Sequence, residues 1–471
     1  MSDEARDFFE DQDPLEAYDS FKRSVQEGEF RYFDVVEYES IIDFLLEEGD
    51  YETANMAIDQ AMSIHPSALP VRIRYAQSLI NKGDPESAVD ELDLLENLDP
   101  YNPDLFLMRG TALLMLDDAL TAEKSFRKAI QLAGDDLDEI YYHIGSAYVP
   151  AGNLESAIRY FEKSFRENPE NEPLLNDLGY FNDQLGFPAK SIYYYNLYLD
   201  LDAFNPAVWF NLGIAYNRTG EFEKALEAYD FTLALNSNFH HALFNKANSL
   251  ANMERYKEAV EAYREYLKSD PSNDDAWCYM GECYLNQGRY KMAERYYNKA
   301  LDLNPENDIA LFSKGIIFWV NRKYEESLTF IWNAIVIEDE TPDYWFTYAR
   351  VLADAGRRSE ALNAFKRAAV LNPGNPEIWI FYAEYQHSHG NVKEAITILR
   401  KGIRHNNKDA VIKYHLAAYL IEANDEKEAA VQLETALKLD FNRHSDLFRV
   451  YPKAAQNDFV KRLIKSYTPL K

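Results

Sequence analysis

A period of 34 residues runs through this chain, and no other feature constrains the fold as tightly. Four segments laid end to end show it: NPAVWFNLGIAYNRTGEFEKALEAYDFTLALNSN, HHALFNKANSLANMERYKEAVEAYREYLKSDPSN, DDAWCYMGECYLNQGRYKMAERYYNKALDLNPEN and DIALFSKGIIFWVNRKYEESLTFIWNAIVIEDET. With Pro206 as the first residue of a unit, the register continues to Arg443 and back to Asp138. One extra residue in AGDDLDEI shifts the frame, which resumes through Pro103 and Leu69 to Val35. Twelve units result, starting at 35, 69, 103, 138, 172, 206, 240, 274, 308, 342, 376 and 410. A unit this short cannot bury its own apolar stripe, so each must stack on its neighbours.

Within a unit the pattern predicts two helices. The first carries a large apolar residue at position 4 (Trp209, Trp277, Trp345, Trp379) and a small one at position 8 (Gly110, Gly145, Gly179, Gly213, Ala247, Gly281, Gly315, Ala349). Glycine at position 15, as at Gly220 and Gly288, suits a left-handed helix end. Pro85 and Pro188 stand two residues after the position-15 glycines Gly83 and Gly186, where a first-turn proline loses no hydrogen bond. A small residue at 20 (Ala157, Ala225, Ala259, Ala293) lets the second helix approach the first, an apolar residue at 24 fills the gap, and proline at 32 ends the unit.

These marks, W-x2-L-G-x2-Y, A-x3-F and a closing P on a 34-residue period, resemble the tetratricopeptide repeat family over residues 35–443. The resemblance implies an all-α fold, a right-handed superhelical α-solenoid of helix-turn-helix repeats. Departures occur at Pro150, Asn182, Ala203, Gln386 and Gly402. The ends of such an array need closing. Residues 1–34 are expected as an acidic, mobile tail and a capping helix with Leu15, Tyr18 and Phe21 on one face. Residues 444–471 are expected as a basic capping helix whose apolar residues are Phe459, Val460, Leu463, Ile464 and Tyr467.

The formal net charge is −30, a balance that repels phosphate backbones and anionic membranes. Seventeen of the first 50 residues are Asp or Glu against four Lys or Arg, whereas residues 444–471 carry six basic residues and two Asp. Weak association of head with tail between molecules is therefore expected. No apolar run approaches the roughly 20 residues of a membrane helix, and the start MSDEARDFFEDQD lacks the pattern of a secretory signal. A cytoplasmic protein is expected. Cys278 and Cys283, five residues apart, fall on different sides of a helix and suit neither a shared metal nor a local disulfide.

Asn245, Asn248 and Asn252 recur at i, i+3 and i+7, the spacing of one helix face. The resemblance gives this face a use, because in the family the first helices line a concave surface and ligands meet positions 2, 5, 6, 9, 12 and 13. Repeat one then presents Glu39, Asp43 and Glu47. Repeats five to seven present Asn176, Asp177, Asp183 and Gln184, then Asn211, Asn217 and Arg218, then the three asparagines. Later repeats present Tyr279, Glu282 and Asn286, then Phe312 and Trp319, then Phe346 and Arg350, then Phe381, Glu384 and His387. A primary amide has donors and an acceptor, so a row of them can grip the backbone of an extended peptide whatever its side chains. The competing use of the same amides is to bond neighbouring helices. The family's carboxylate clamp is missing, since no repeat has Lys at position 5.

No phosphate loop, nucleophile elbow or metal-ligand spacing occurs, and no cofactor is expected. His387 and His389 read as a polar helix end, and Tyr195 in YYYNLY as packing. The expected function is a non-catalytic scaffold that binds a protein or peptide segment, with no nucleic-acid or membrane partner. Two alternatives stand beside it. PDYWFTYA and PEIWIFYAEY are similar to the half-a-tetratricopeptide units of RNA-processing factors. An accessory, non-catalytic subunit of an enzyme complex is the other.

Overall fold

The computed structural model describes residues 14–467, so the acidic head expected before Pro14 lies outside the described residues. Twenty-four helices between Val35 and Leu439 form twelve consecutive antiparallel pairs. Repeat seven is representative, with a first helix His240–Asn252 and a second helix Tyr256–Ser269. The structure is an all-α solenoid, as the repeat pattern requires.

Two close approaches hold each pair together. The residue at position 20 is buried throughout, as at Ala157, Ala225, Ala293 and Ala395, which brings the backbones near. At position 8 the helix then meets the side chain from position 24. A Cβ on Gly145 would lie 2.5 Å from the ring of Phe161, and one on Gly179 would lie 2.4 Å from that of Tyr195. The same contact recurs between Gly213 and Tyr229 and between Gly281 and Tyr297. Where position 24 is leucine, as at Leu92, Leu399 and Leu433, position 8 is alanine.

The turn between the two helices is left-handed at position 15 in all twelve repeats. Eight have glycine there, with φ from 71 to 80°. The others have Asp117, Glu254, Arg322 and Asn424, with φ of 58 to 61°, a conformation that costs an L residue about 1–2 kcal/mol. The fold imposes the turn whether or not the residue favours it.

Neighbouring repeats are clipped together by the tryptophans at position 4. Each donates its indole N–H to the carbonyl at position 32 of the preceding repeat: Trp209 to Ala203 at 2.9 Å, Trp277 to Pro271 at 3.0 Å, Trp345 to Asp339 at 2.8 Å and Trp379 to Pro373 at 3.0 Å. Asn or Asp just before many first helices caps the next helix, as Asn273 does through Ala276 and Asn307 through Ala310.

The chain divides into two compact units between Phe239 and His240. In the first, Pro14–Glu27 packs Phe21 against Phe33 and Tyr38, and Tyr18 against Phe44. In the second, the segment after Leu439 is a 3-10 turn (Phe441–His444), a short helix (Ser445–Val450), a second 3-10 turn (Pro452–Gln456) and a helix (Asp458–Tyr467). Of the capping helix expected over 444–471, this last helix carries the named apolar residues, the part before it is broken, and residues 468–471 lie outside the described residues. Pro452 and the extended backbone of Tyr451 interrupt it. Leu447, Ala454 and Val460 from this segment are buried, and Tyr467 donates to Glu434 at 2.9 Å. Together they leave the first helix of repeat twelve, Ala410–Glu422, buried on almost every face, including Lys413 and His415.

Candidate functional site

Within each unit the first helices of successive repeats touch one another, as in repeats one to four and in repeats eleven and twelve, whereas the second helices are held further apart. The first helices therefore form the inner wall of each unit's array. Positions 5, 6, 9 and 12 lie on that wall.

In the first unit the wall brings together residues of repeats five and six. Arg218 reaches back to Asp183, with Nη1 3.0 Å from Oδ2 and 3.0 Å from the backbone oxygen. Burial raises the Asp183 carboxyl above its ordinary value against the pull of Arg218. Its Oδ1 is buried without a hydrogen-bond partner among the described residues, and so is Oδ1 of Asn217. Asn211 hydrogen-bonds the hydroxyl of buried Tyr195. Asn176 is half-buried, and next to it Asp177 accepts from Tyr142 at 3.0 Å. Burial raises Asp177 as well.

In the second unit Asn245, Asn248 and Asn252 share one face of His240–Asn252. The same helix buries Ala242, Ala247, Ser249 and Leu250, while Leu243 is half-buried. Oδ1 of Asn248 accepts from the hydroxyl of Tyr263 on the second helix of the same repeat. That bond fixes the amide, and its NH2 group makes no bond among the described residues. Phe244, Tyr263 and Tyr279 form an aromatic floor beside it, with ring centroids 5.9 to 6.3 Å apart. Glu282 is reached by solvent yet enclosed by the wall, and loss of surrounding water raises its carboxyl. Asn286 is exposed one turn further on.

Repeats nine to eleven supply a second cluster. Arg350 lies over three rings, 4.8 Å from Trp319, 5.6 Å from Phe346 and 4.8 Å from Phe381. Trp319 is held by its N–H to Asp354 at 2.7 Å. Phe312 packs against Tyr344 as a tilted pair with ring centroids 4.5 Å apart. Phe346 itself is buried core, and Glu384 and His387 are engaged by His415 and Glu422.

Reasoning from residue type passed over one hollow. Gln77, Thr111, His143 and Ser146 line a cavity of about 290 Å³ in the first unit, between repeats two and four. All four occupy positions 6 or 9, so the repeat register carried the signal, although the residues do not resemble one another. Among the described residues no group of three or more His, Cys, Asp or Glu could hold a metal ion. Cys278 and Cys283 are free and buried, and burial pushes the Cys283 thiol up to about 12, far from a nucleophile's range. No helix among the described residues is long and apolar enough to cross a membrane.

Comparison with known proteins matches tetratricopeptide repeat profiles to residues 45–111, 138–171, 206–239, 244–331 and 352–413, together more than half of the chain. The BBSome complex member BBS4 of Bos taurus is 24% identical over 182 residues, 39% of this chain and 35% of that protein. TPR repeat-containing protein YpiA of Bacillus subtilis is 23% identical over 216 residues, 38% of this chain and 51% of that protein. The chain thus spans about a third to a half of these curated relatives. Among solved structures, yeast Tom70 aligns over 96% of both chains at 16% identity with a TM-score of 0.45.

Proposed function

Since the chain belongs to the tetratricopeptide repeat family, we propose that it is a non-catalytic scaffold whose inner wall binds an extended segment of a partner protein. The observation that carries this reading is the pair of buried acceptors on the wall, Oδ1 of Asp183 and Oδ1 of Asn217, that have no partner among the described residues. A buried acceptor without a donor costs about 1–3 kcal/mol, and a peptide N–H that met it once the side chain turned toward the surface of the wall would remove that cost. In the second unit the complementary group is the NH2 of Asn248, held by Tyr263 and suited to a peptide carbonyl. Arg350 among its three rings adds a planar cation that selects among side chains. One relative is itself named as the member of a complex, which agrees with a role in assembly.

The test compares proteins captured by the wild-type chain with those captured by Asn217→Ala and by Asn245→Ala/Asn248→Ala. A partner lost from either variant, and recovered as a synthetic segment that binds wild type alone, supports the groove. Full retention of every partner by both variants would refute it.

A further inference from the structure

We propose that the outer surface of repeats seven and eight holds a second docking site, a cationic pocket for an acidic peptide segment carrying an apolar side chain. The pocket, about 590 Å³, lies between the second helices of these repeats, Tyr256–Ser269 and Tyr290–Leu303, and the start of Asp274–Asn286. It is therefore on the side of the repeats away from the inner wall. In a chain of net charge −30, four of its lining residues are cations: Arg264, Lys268, Arg295 and Lys299.

These cations are arranged at a cost. Arg264 and Lys268 are one turn apart on one helix, and Arg295 and Lys299 one turn apart on the other. Like charges at that spacing repel, and here two such rows face one cavity. Lys268 is paired with Glu265, but Arg264, Arg295 and Lys299 make no ion pair among the described residues. Asp302, the one acid in the lining, does not balance them. Trp277, Leu267 and Met280 supply an apolar floor, and Tyr296 stacks between Trp277 at 6.0 Å and Tyr284 at 5.2 Å. The Trp277 N–H is already spent on Pro271, so the indole offers only its apolar surface.

Cations over an aromatic and aliphatic floor recognise an anion attached to something apolar. Guanidinium groups bind carboxylates and phosphates in the same forked geometry, so Glu, Asp and phosphoserine all qualify as the anion. A long nucleic acid is disfavoured, because a polymer of phosphates would meet the negative field of the rest of the chain. A short acidic segment needs only the local four charges.

The experiment measures fluorescence polarisation of the full chain with three labelled peptides of identical frame and one central Phe: Glu-rich, phosphoserine-rich and Gln-rich. A single-stranded oligonucleotide and free inorganic phosphate serve as competitors. The expected result is salt-sensitive binding of one or both acidic peptides, with the stronger of the two identifying the anion. Affinity should fall at least tenfold in Arg264→Glu/Arg295→Glu and several-fold in the milder Arg264→Gln/Arg295→Gln. It should be unchanged in Arg404→Glu/Lys408→Glu, which alters net charge equally at exposed sites in the same unit. Equal loss in that control, equal binding of the Gln-rich peptide, or no binding of either acidic peptide overturns the proposal. So does competition by the oligonucleotide or free phosphate at the peptide's own concentration. All substituted positions are exposed, and thermal melts that match wild type establish that the variants are folded.

Discussion

The hydroxyl of Tyr263 donates to Oδ1 of Asn248, joining the two helices of repeat seven at the point where the inner wall carries its asparagine stripe. The two uses of a wall asparagine, bonding a neighbouring helix and gripping a ligand, are therefore compatible within one amide. The oxygen serves the fold and the NH2 stays available. Tyr263→Phe should lower stability by about 1 kcal/mol, the net worth of one hydrogen bond. It should also weaken partner binding more than Asn252→Ala does, because Asn252 is exposed and its side chain is not held by a bond among the described residues. Urea unfolding gives the first quantity and titration with a captured segment the second.

The pairing of positions 8 and 24 is equally specific. Gly145→Ala drives a Cβ to within 2.5 Å of the Phe161 ring, and overpacking of this kind costs about 1–3 kcal/mol. Repeats two, eleven and twelve already use alanine opposite leucine, so Gly145→Ala/Phe161→Leu should recover part of the loss. A double-mutant cycle with a favourable coupling of about 1 kcal/mol is expected. Repeat seven bounds the effect, since Ala247 is accommodated beneath the Tyr263 ring with both fully buried.

Much of this architecture is legible in the sequence because it is periodic. Gly220 and Gly288 announce the left-handed turn, Ala225 and Ala293 the close helix approach, and the register alone places Asn248, Trp319 and Arg350 on one wall. What escapes is whatever depends on two residues at once. Tyr263 and Phe126 score alike as apolar residues at position 24, yet only the tyrosine can fix an asparagine. Trp277 reads as core, and its bond to Pro271 depends on the preceding repeat. The capping segment escapes for another reason: Phe459 to Tyr467 have helical spacing, but Pro452 breaks the run before them.

Position 15 shows where the fold overrides the residue. Arg322 and Glu254 are exposed and left-handed, so glycine would relieve backbone strain without emptying any packing. Against this stands the larger freedom glycine gives the unfolded chain, about 0.5–1 kcal/mol. The net expectation for Arg322→Gly and for Glu254→Gly is a gain of up to about 1 kcal/mol. Arg322→Ala should give none, since alanine keeps the Cβ that causes the strain. Thermal melting of the three variants separates strain relief from loss of the Arg322 charge, which both substitutions at that site share.

The carboxyls of the wall should make stability depend on pH in a predictable direction. Asp177 is raised above its ordinary 3.8 chiefly by burial, and its bond from Tyr142 only partly opposes this. A carboxyl whose pKa is higher in the folded state is better tolerated there when protonated. Its favourable contribution is present below pH 3.8 and is lost as pH rises through the raised value, leaving a constant penalty at neutral pH. Asp177→Asn keeps an acceptor for Tyr142 and removes the charge. The variant should therefore be more stable than wild type near neutral pH, and the difference should close as pH falls below 3.8. Urea midpoints followed across that range test it. A difference that stays constant with pH would show that the carboxylate is solvated on the wall, and that Asp177 contributes no buried charge for a partner to neutralise.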